Sequence, residues 1–175
     1  MHRYQILIEY VGTSFVGWQI QTKGNSIQKV VQITLSKLLK QKILLYGSGR
    51  TDSGVHALEQ SAHFDVKNKI QNIDKIIKSL NYFLNNKMIS IIDIKRKKNN
   101  FHARYSAKER IYLYIIRNRF SPSILNKDRE WHIRKKLDID LMKTGAKKFL
   151  GTHDFSTFSR WNLQKTTFVD EQLHV

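Results

Sequence analysis

The chain has 175 residues, no cysteine, and 31 Lys plus Arg against 14 Asp plus Glu, a formal net charge of +17. That length suffices for one substantial core or two small halves sharing one, and the absence of Cys excludes disulfides and thiolate metal sites. No apolar run approaches the ~20 residues of a membrane-spanning helix, the start moves straight into a strand-like alternation with no signal-peptide pattern, and a charge this far from zero points to a polyanionic partner, nucleic acid before an anionic membrane.

Residues 3–11 alternate, with Tyr4, Ile6, Ile8 and Tyr10 on one side, and predict a strand. Ser26 is a fitting N-cap for a helix through Lys40, which carries Ile27, Val30, Val31, Leu35, Leu38 and Leu39 on one face. Residues 42–47 predict a short strand. Residues 59–67 predict another, with Gln60, Ala62, Phe64 and Val66 on one face. Asn72 or Asp74 can start a helix bearing Ile73, Ile76, Ile77, Leu80 and Leu84, and the Ile-rich residues 88–96 predict a strand. This order, β-α-β-β-α-β, is that of a ferredoxin-like split βαβ unit: an antiparallel sheet with two helices on one face. From Ser106 the order starts again. A strand is expected over 109–118, then a basic linker 117–136 containing the single proline, Pro122. A helix capped by Asp138, carrying Leu141, Met142, Phe149 and Leu150, is expected to end at Gly151, and a strand to follow over 166–175. The pattern thus predicts an α+β protein with a ferredoxin-like half, 1–105, and a second, incomplete half, 106–175.

Chemistry is concentrated in Gly49-Arg50-Thr51-Asp52-Ser53-Gly54-Val55-His56-Ala57. Asp52 is the only acidic residue between Glu9 and Glu59, and glycines at 47, 49 and 54 surround it. Asp and Gly also make ordinary turns, but a carboxylate on a glycine-rich loop has its side chain presented and its backbone open to a ligand. Gly47-Ser48-Gly49 is no phosphate-cradling loop, because no Gly-Lys-Ser/Thr follows.

The string GRTDSGVHA resembles the catalytic loop of the tRNA pseudouridine synthase A family, whose pattern is GRTDxGVHA. Five further blocks resemble that family in order. They are Tyr10 to Gln19 (YVGTSFVGWQ), Gln60 to Asp65 (QSAHFD), Phe101 to Ala107 (FHARYSA), Arg110 to Tyr114 (RIYLY), and Gly151 to Phe158 (GTHDFSTF). Val11 stands where the family has Asp, and Leu84-Asn85-Asn86-Lys87 where it tends to have Leu-Pro-x-Asp; both changes remove turn chemistry rather than the acid. Family members continue beyond this length with an F-x-x-x-M-V-R-type motif whose basic residue faces the catalytic Asp, so the chain is expected to lack the family's C-terminal third and to be oligomeric or aggregation-prone and nearly inactive by itself.

The resemblance implies isomerisation of uridine to pseudouridine in the anticodon stem-loop of tRNA, at positions 38–40, by a cytoplasmic homodimer working without a cofactor and without a membrane. The other reading of the chain is a non-catalytic RNA-binding module or a degenerate remnant of such an enzyme. Asp52, in the catalytic loop 47–57, is expected to be the catalytic carboxylate, as nucleophile or as the base that takes a sugar proton. Arg50 either fills the gap left by the flipped base and binds flanking phosphates, or forms an ion pair that orients Asp52. Tyr112 is expected on a strand facing the loop, stacked on the target base, with an ordinary core aromatic as the alternative. Thr51, Ser53 and His56 read as loop supports. Lys95, Arg96, Lys97 and Lys98, with Arg134, Lys135 and Lys136, are the possible RNA contacts, or simply solvated charge runs. Phe15 and Trp18 either line the RNA cleft or pack under the sheet. His63, His102, His132 and His153 lack the spacing of a zinc site.

Overall fold

The computed structural model describes residues 1–158 and the backbone of 166–169. The chain divides into two compact units, Met1–Leu113 and Tyr114–Val175. Among the described residues no helix is long and apolar enough to cross a membrane.

The first unit runs β1 (His2–Tyr10), α1 (Ile27–Leu38), β2 (Tyr46–Gly47), β3 (Ala57–Val66), α2 (Ile73–Leu84) and β4 (Ile89–Lys97). The strands form one sheet in the order β2-β3-β1-β4, with every neighbouring pair antiparallel. The alternation of β1 sets the core. Tyr4 and Ile6 lie opposite Phe64 and Ala62 on one side and Arg96 and Ile94 on the other. The buried face of the sheet, with Tyr10, Val66, Ile89 and Ile91, packs on Ile27, Val31 and Leu35 of α1 and Leu80 and Leu84 of α2. Strict alternation would not bury Ile91 and Ile94 together. A register shift in the β1–β4 pairing, where Leu7 faces Asp93 but Ile8 faces Ile91, leaves Ile92 as the extra residue and turns it outward.

Caps fall where hydroxyl, amide and carboxylate side chains can accept from the first free amides. Ser26 Oγ accepts from Lys29 N at 3.3 Å, and Asn72 Oδ1 accepts from Lys75 N at 2.8 Å. Asp74 lies in the first turn instead of capping it. α1 stops at Leu38, short of Lys40, which adopts a left-handed φ of 51°. The strand expected over 42–47 shrinks to Tyr46–Gly47 for an identifiable reason. The amides of Ile43 and Leu45 are taken by Ser36 Oγ and Gln32 Oε1 of α1, each at 3.0 Å, so they have no ladder to join.

The second unit contains β5 (Ile116–Asn118), β6 (Trp131–Ile133), α3 (Ile139–Lys147), β7 (Gly151–Asp154) and β8 (Thr166–Val169). β5 pairs parallel with β6, and β7 pairs antiparallel with β8. The strand expected over 109–118 is therefore only three residues long, because pairing begins where Trp131 N reaches Ile115 O, and 107–115 have no regular structure. The basic linker holds β6. Asp138 Oδ1 caps α3 through Leu141 N at 2.9 Å, as its sequence suggests, but the helix ends at Lys147, and Gly151, with φ of +101°, opens β7. Of the strand expected over 166–175, residues 170–175 lie outside the described residues.

No described hydrophobic residue of the second unit is buried, and Ile124, Leu125, Leu141 and Phe158 are all strongly exposed. Apolar surface of this extent is prone to association. The 175-residue chain is expected to elute from gel filtration above its 20.7 kDa mass, and Leu141→Lys with Phe158→Lys to shift it down. A monodisperse monomer would contradict this.

Candidate active site

The loop between β2 and β3 is held along its whole length. At its start, Ser48 N donates to Ser61 O at 2.8 Å and Gln60 Nε2 donates to Gly49 O at 2.7 Å. Arg110 adds a latch, donating from Nη2 to Ser48 O at 3.0 Å. In the middle, the Thr51 hydroxyl shares a hydrogen bond of 2.8 Å with Tyr10 OH, and Thr51 O accepts from Trp18 N at 3.0 Å. Phe15 O accepts from Ser53 Oγ at 3.1 Å and from Gly54 N at 3.4 Å. At the end, Gly12 N donates to His56 Nδ1 at 3.0 Å.

Two glycines permit this closeness. A Cβ on Gly12 would fall 2.0 Å from Val55 O, and one on Gly17 would fall 2.6 Å from Thr51 O, with a φ of +102° besides. Val11, at the N-cap of the short 3-10 turn Gly12–Ser14, makes no side-chain cap, and the Gly12 amide goes to His56 instead.

Asp52 is exposed at the crest of this loop. Its backbone carbonyl accepts from Val55 N at 3.2 Å, closing the turn, while its carboxylate has no hydrogen bond or ion pair among the described residues. Arg50 is likewise exposed, and the two form no ion pair. The backbone is thus fixed and the two charged groups are left to a ligand. A carboxylate so placed can attack an electrophilic carbon or accept a proton.

Tyr112 lies on the irregular segment 107–115 rather than on a strand. It is 69% exposed, so it is no core aromatic, and it makes no hydrogen bond or ring contact among the described residues. Among the described residues, no strand pairs with the one expected there. The run 95–98 is split by its own strand: Lys95 and Lys97 lie opposite Gln5 and Arg3 on the open face, and Arg96 lies opposite Tyr4 on the other. Lys95 is paired with Asp93 at 2.7 Å, and Lys97 stands over the Phe101 ring at 5.4 Å. Lys98, Arg134, Lys135 and Lys136 are exposed and carry no ion pair among the described residues. Phe15 and Trp18 are buried within the hydrophobic core cluster, in keeping with packing under the sheet. Sequence reasoning missed Tyr10 and Arg110 as supports of the loop. The available signal was that both sit in motifs sharing the chain with GRTDSGVHA.

His63 is 1% exposed, and its Nδ1 accepts from Ala103 N at 3.1 Å, pinning the segment 101–106 to the sheet. Its ring stacks on Tyr46 at 5.1 Å and meets His102 edge-on at 4.5 Å. Burial, helped by the nearby Arg3 charge, pushes its pKa down to about 4. Arg3 in turn holds Asp65 through two bonds of 2.8 and 2.7 Å, which keep that carboxyl below its ordinary value. A depressed histidine favours the neutral ring in the folded state. Its contribution is present above about pH 6.5 and is lost as pH falls toward about 4, on the order of 3 kcal/mol. Urea unfolding at pH 7 and pH 4 should show that loss, and His63→Asn, which keeps an acceptor without titrating, should show a smaller one. An equal loss in both would contradict the assignment.

The family model described as tRNA pseudouridine synthase matches residues 6–106. The chain is 66% identical over 158 residues to tRNA pseudouridine synthase A of Pelagibacter ubique (strain HTCC1062), covering 90% of this chain and 64% of that protein. It is 39% identical over 170 residues to the tRNA pseudouridine synthase A of Anaplasma phagocytophilum (strain HZ), covering 95% of this chain and 68% of the relative. With that of Ehrlichia ruminantium (strain Welgevonden) it shares 41% over 157 residues, 89% of this chain and 63% of the relative. The chain thus spans about two thirds of the length of the curated relatives it matches. A match over more than half of the chain, joined to these identities, means that it belongs to the tRNA pseudouridine synthase family.

Proposed function

We propose that the protein isomerises uridine to pseudouridine in the anticodon stem-loop of tRNA, at positions 38–40, with Asp52 as the catalytic carboxylate. The observation that carries this is the exposed, unpaired Asp52 carboxylate on a loop tied through backbone at Ser48, Gly49, Thr51 and Gly54 and through side chains at Thr51, Ser53 and His56. In the reaction the N1–C1′ bond of uridine breaks and a C5–C1′ bond forms. The proton lost from C5 is balanced by one gained at N1, so no redox partner or cofactor is needed. The nucleotide must leave its stack to reach the carboxylate. Arg50, free of Asp52, is proposed to occupy the vacated space or to bind flanking phosphates, and Tyr112 to stack on the target base.

The fold belongs to the same proposal: the first half, 1–105, as a ferredoxin-like unit, and 106–175 as part of a second. So do a homodimeric assembly and the cytoplasm, where tRNA is matured, as the compartment. The test is an unmodified tRNA transcript incubated with the protein and mapped for pseudouridine by carbodiimide labelling. Signal confined to 38–40 supports the reading. Tight binding without any conversion favours the RNA-binding reading instead.

A further inference from the structure

We propose that Tyr10 is a positioning residue for Asp52, acting through the hydrogen bond between its hydroxyl and Thr51. The inference rests on the reading of Asp52 as the reacting carboxylate. Tyr10 is the last residue of β1 and is 2% exposed, with its ring against Trp18 at 6.1 Å. A buried phenol needs a partner, and here the partner is Thr51 Oγ1 at 2.8 Å. Burial raises the phenol above its ordinary value, against the opposing effect of that hydrogen bond, so it stays protonated at neutral pH.

Thr51 immediately precedes Asp52. Its side chain is held by Tyr10 and its carbonyl by Trp18 N, so both handles of the residue before the carboxylate are fixed. The rest of the segment 12–18 ties the far side of the turn through Gly12 and Phe15. Of these ties, only that of Tyr10 joins two side chains; the others all use a backbone group of the N-terminal segment. Cutting it therefore takes no hydrogen-bond partner from a backbone group. Displacing a reacting group by about 1 Å can cost on the order of 10²-fold in rate.

Tyr4 supplies an internal control. It lies on the same strand and the same face, is equally buried, and its hydroxyl accepts from Ile70 N at 3.0 Å, away from the loop. The loss of either phenol hydroxyl should cost similar stability.

The experiment, in a version extended to the full length of the relatives, compares Tyr10→Phe, Thr51→Val, Thr51→Ser and Tyr4→Phe with the parent of that length by amide hydrogen exchange across 51–56, by tRNA affinity, and by single-turnover pseudouridine formation. Tyr10→Phe and Thr51→Val should each speed exchange at the Gly54 and Val55 amides and slow turnover, both about tenfold, as expected for one buried hydrogen bond. Affinity for tRNA should be unchanged. Thr51→Ser, which keeps the hydroxyl, should stay near the parent, and Tyr4→Phe should match the parent in loop exchange and rate. Parental exchange and rate in Tyr10→Phe would overturn the proposal, as would loosened exchange without slower turnover, or the same effects from Tyr4→Phe. A parent with no synthase activity would instead count against the reading of Asp52, while loop exchange would still decide whether Tyr10 tethers the loop.

Discussion

In a version extended to the full length of its relatives, Asp52→Ala and Asp52→Asn will lower the single-turnover rate of pseudouridine formation by at least about 10³-fold while leaving tRNA affinity within about threefold. The asymmetry follows from how the loop is built. The Asp52 backbone carbonyl closes the turn with Val55 N, while the carboxylate touches nothing described. Removing the carboxylate therefore breaks no support, and stability should stay within about 0.5 kcal/mol of the parent. Asparagine is nearly isosteric, so a loss in that variant reports the acid rather than the shape. The measurement is carbodiimide-dependent stops in primer extension on tRNA, read beside thermal melts. Appreciable pseudouridine from Asp52→Ala would end the assignment.

Affinity for tRNA will fall steeply with salt, on the order of 10²–10³-fold between about 50 and 200 mM, as release of about four to six counterions requires. The +17 charge motivates this, and the structure ranks the contributors. Lys95 already has a carboxylate partner at 2.7 Å, and an exposed pair of that kind is worth little for stability but offsets the charge it offers to phosphate. Lys98, Arg134, Lys135 and Lys136 have no such partner among the described residues. Replacing Arg134, Lys135 and Lys136 by alanine should lower the salt slope, and Lys95→Ala should lower it less. Recognition of one site on many tRNAs must also use shape and backbone, so short single-stranded RNA should bind more weakly than tRNA. A salt-independent affinity would contradict the electrostatic account, and equal affinity for short single strands would contradict the part about shape.

Local rules were legible without coordinates wherever the determinant lies within a few residues. The alternation of Tyr4, Ile6, Ile8 and Tyr10 determined which face of β1 is buried, and Ser26 and Asp138 determined where α1 and α3 begin. The motif around Asp52 likewise marked the loop, because glycine and an isolated carboxylate are properties of residue type. What depends on distant partners was not legible. The strand expected at 42–47 shrank to Tyr46–Gly47 because Ser36 and Gln32 side chains of the neighbouring helix captured the amides of Ile43 and Leu45. The strand expected over 109–118 is confined to Ile116–Asn118, where β6 pairs with it, and among the described residues no strand pairs with the part that holds Tyr112. The basic run 95–98 read as one patch, yet the pleat of β4 sends its members to opposite faces. Most consequential for the site, YVGTSFVGWQ and GRTDSGVHA are separate strings in the sequence, and only the return of β3 alongside β1 brings Tyr10 to Thr51 and Gly12 to Val55. Residue type therefore marked Asp52 as the candidate carboxylate, and long-range packing decided that its loop is held in place with that carboxylate unpaired among the described residues.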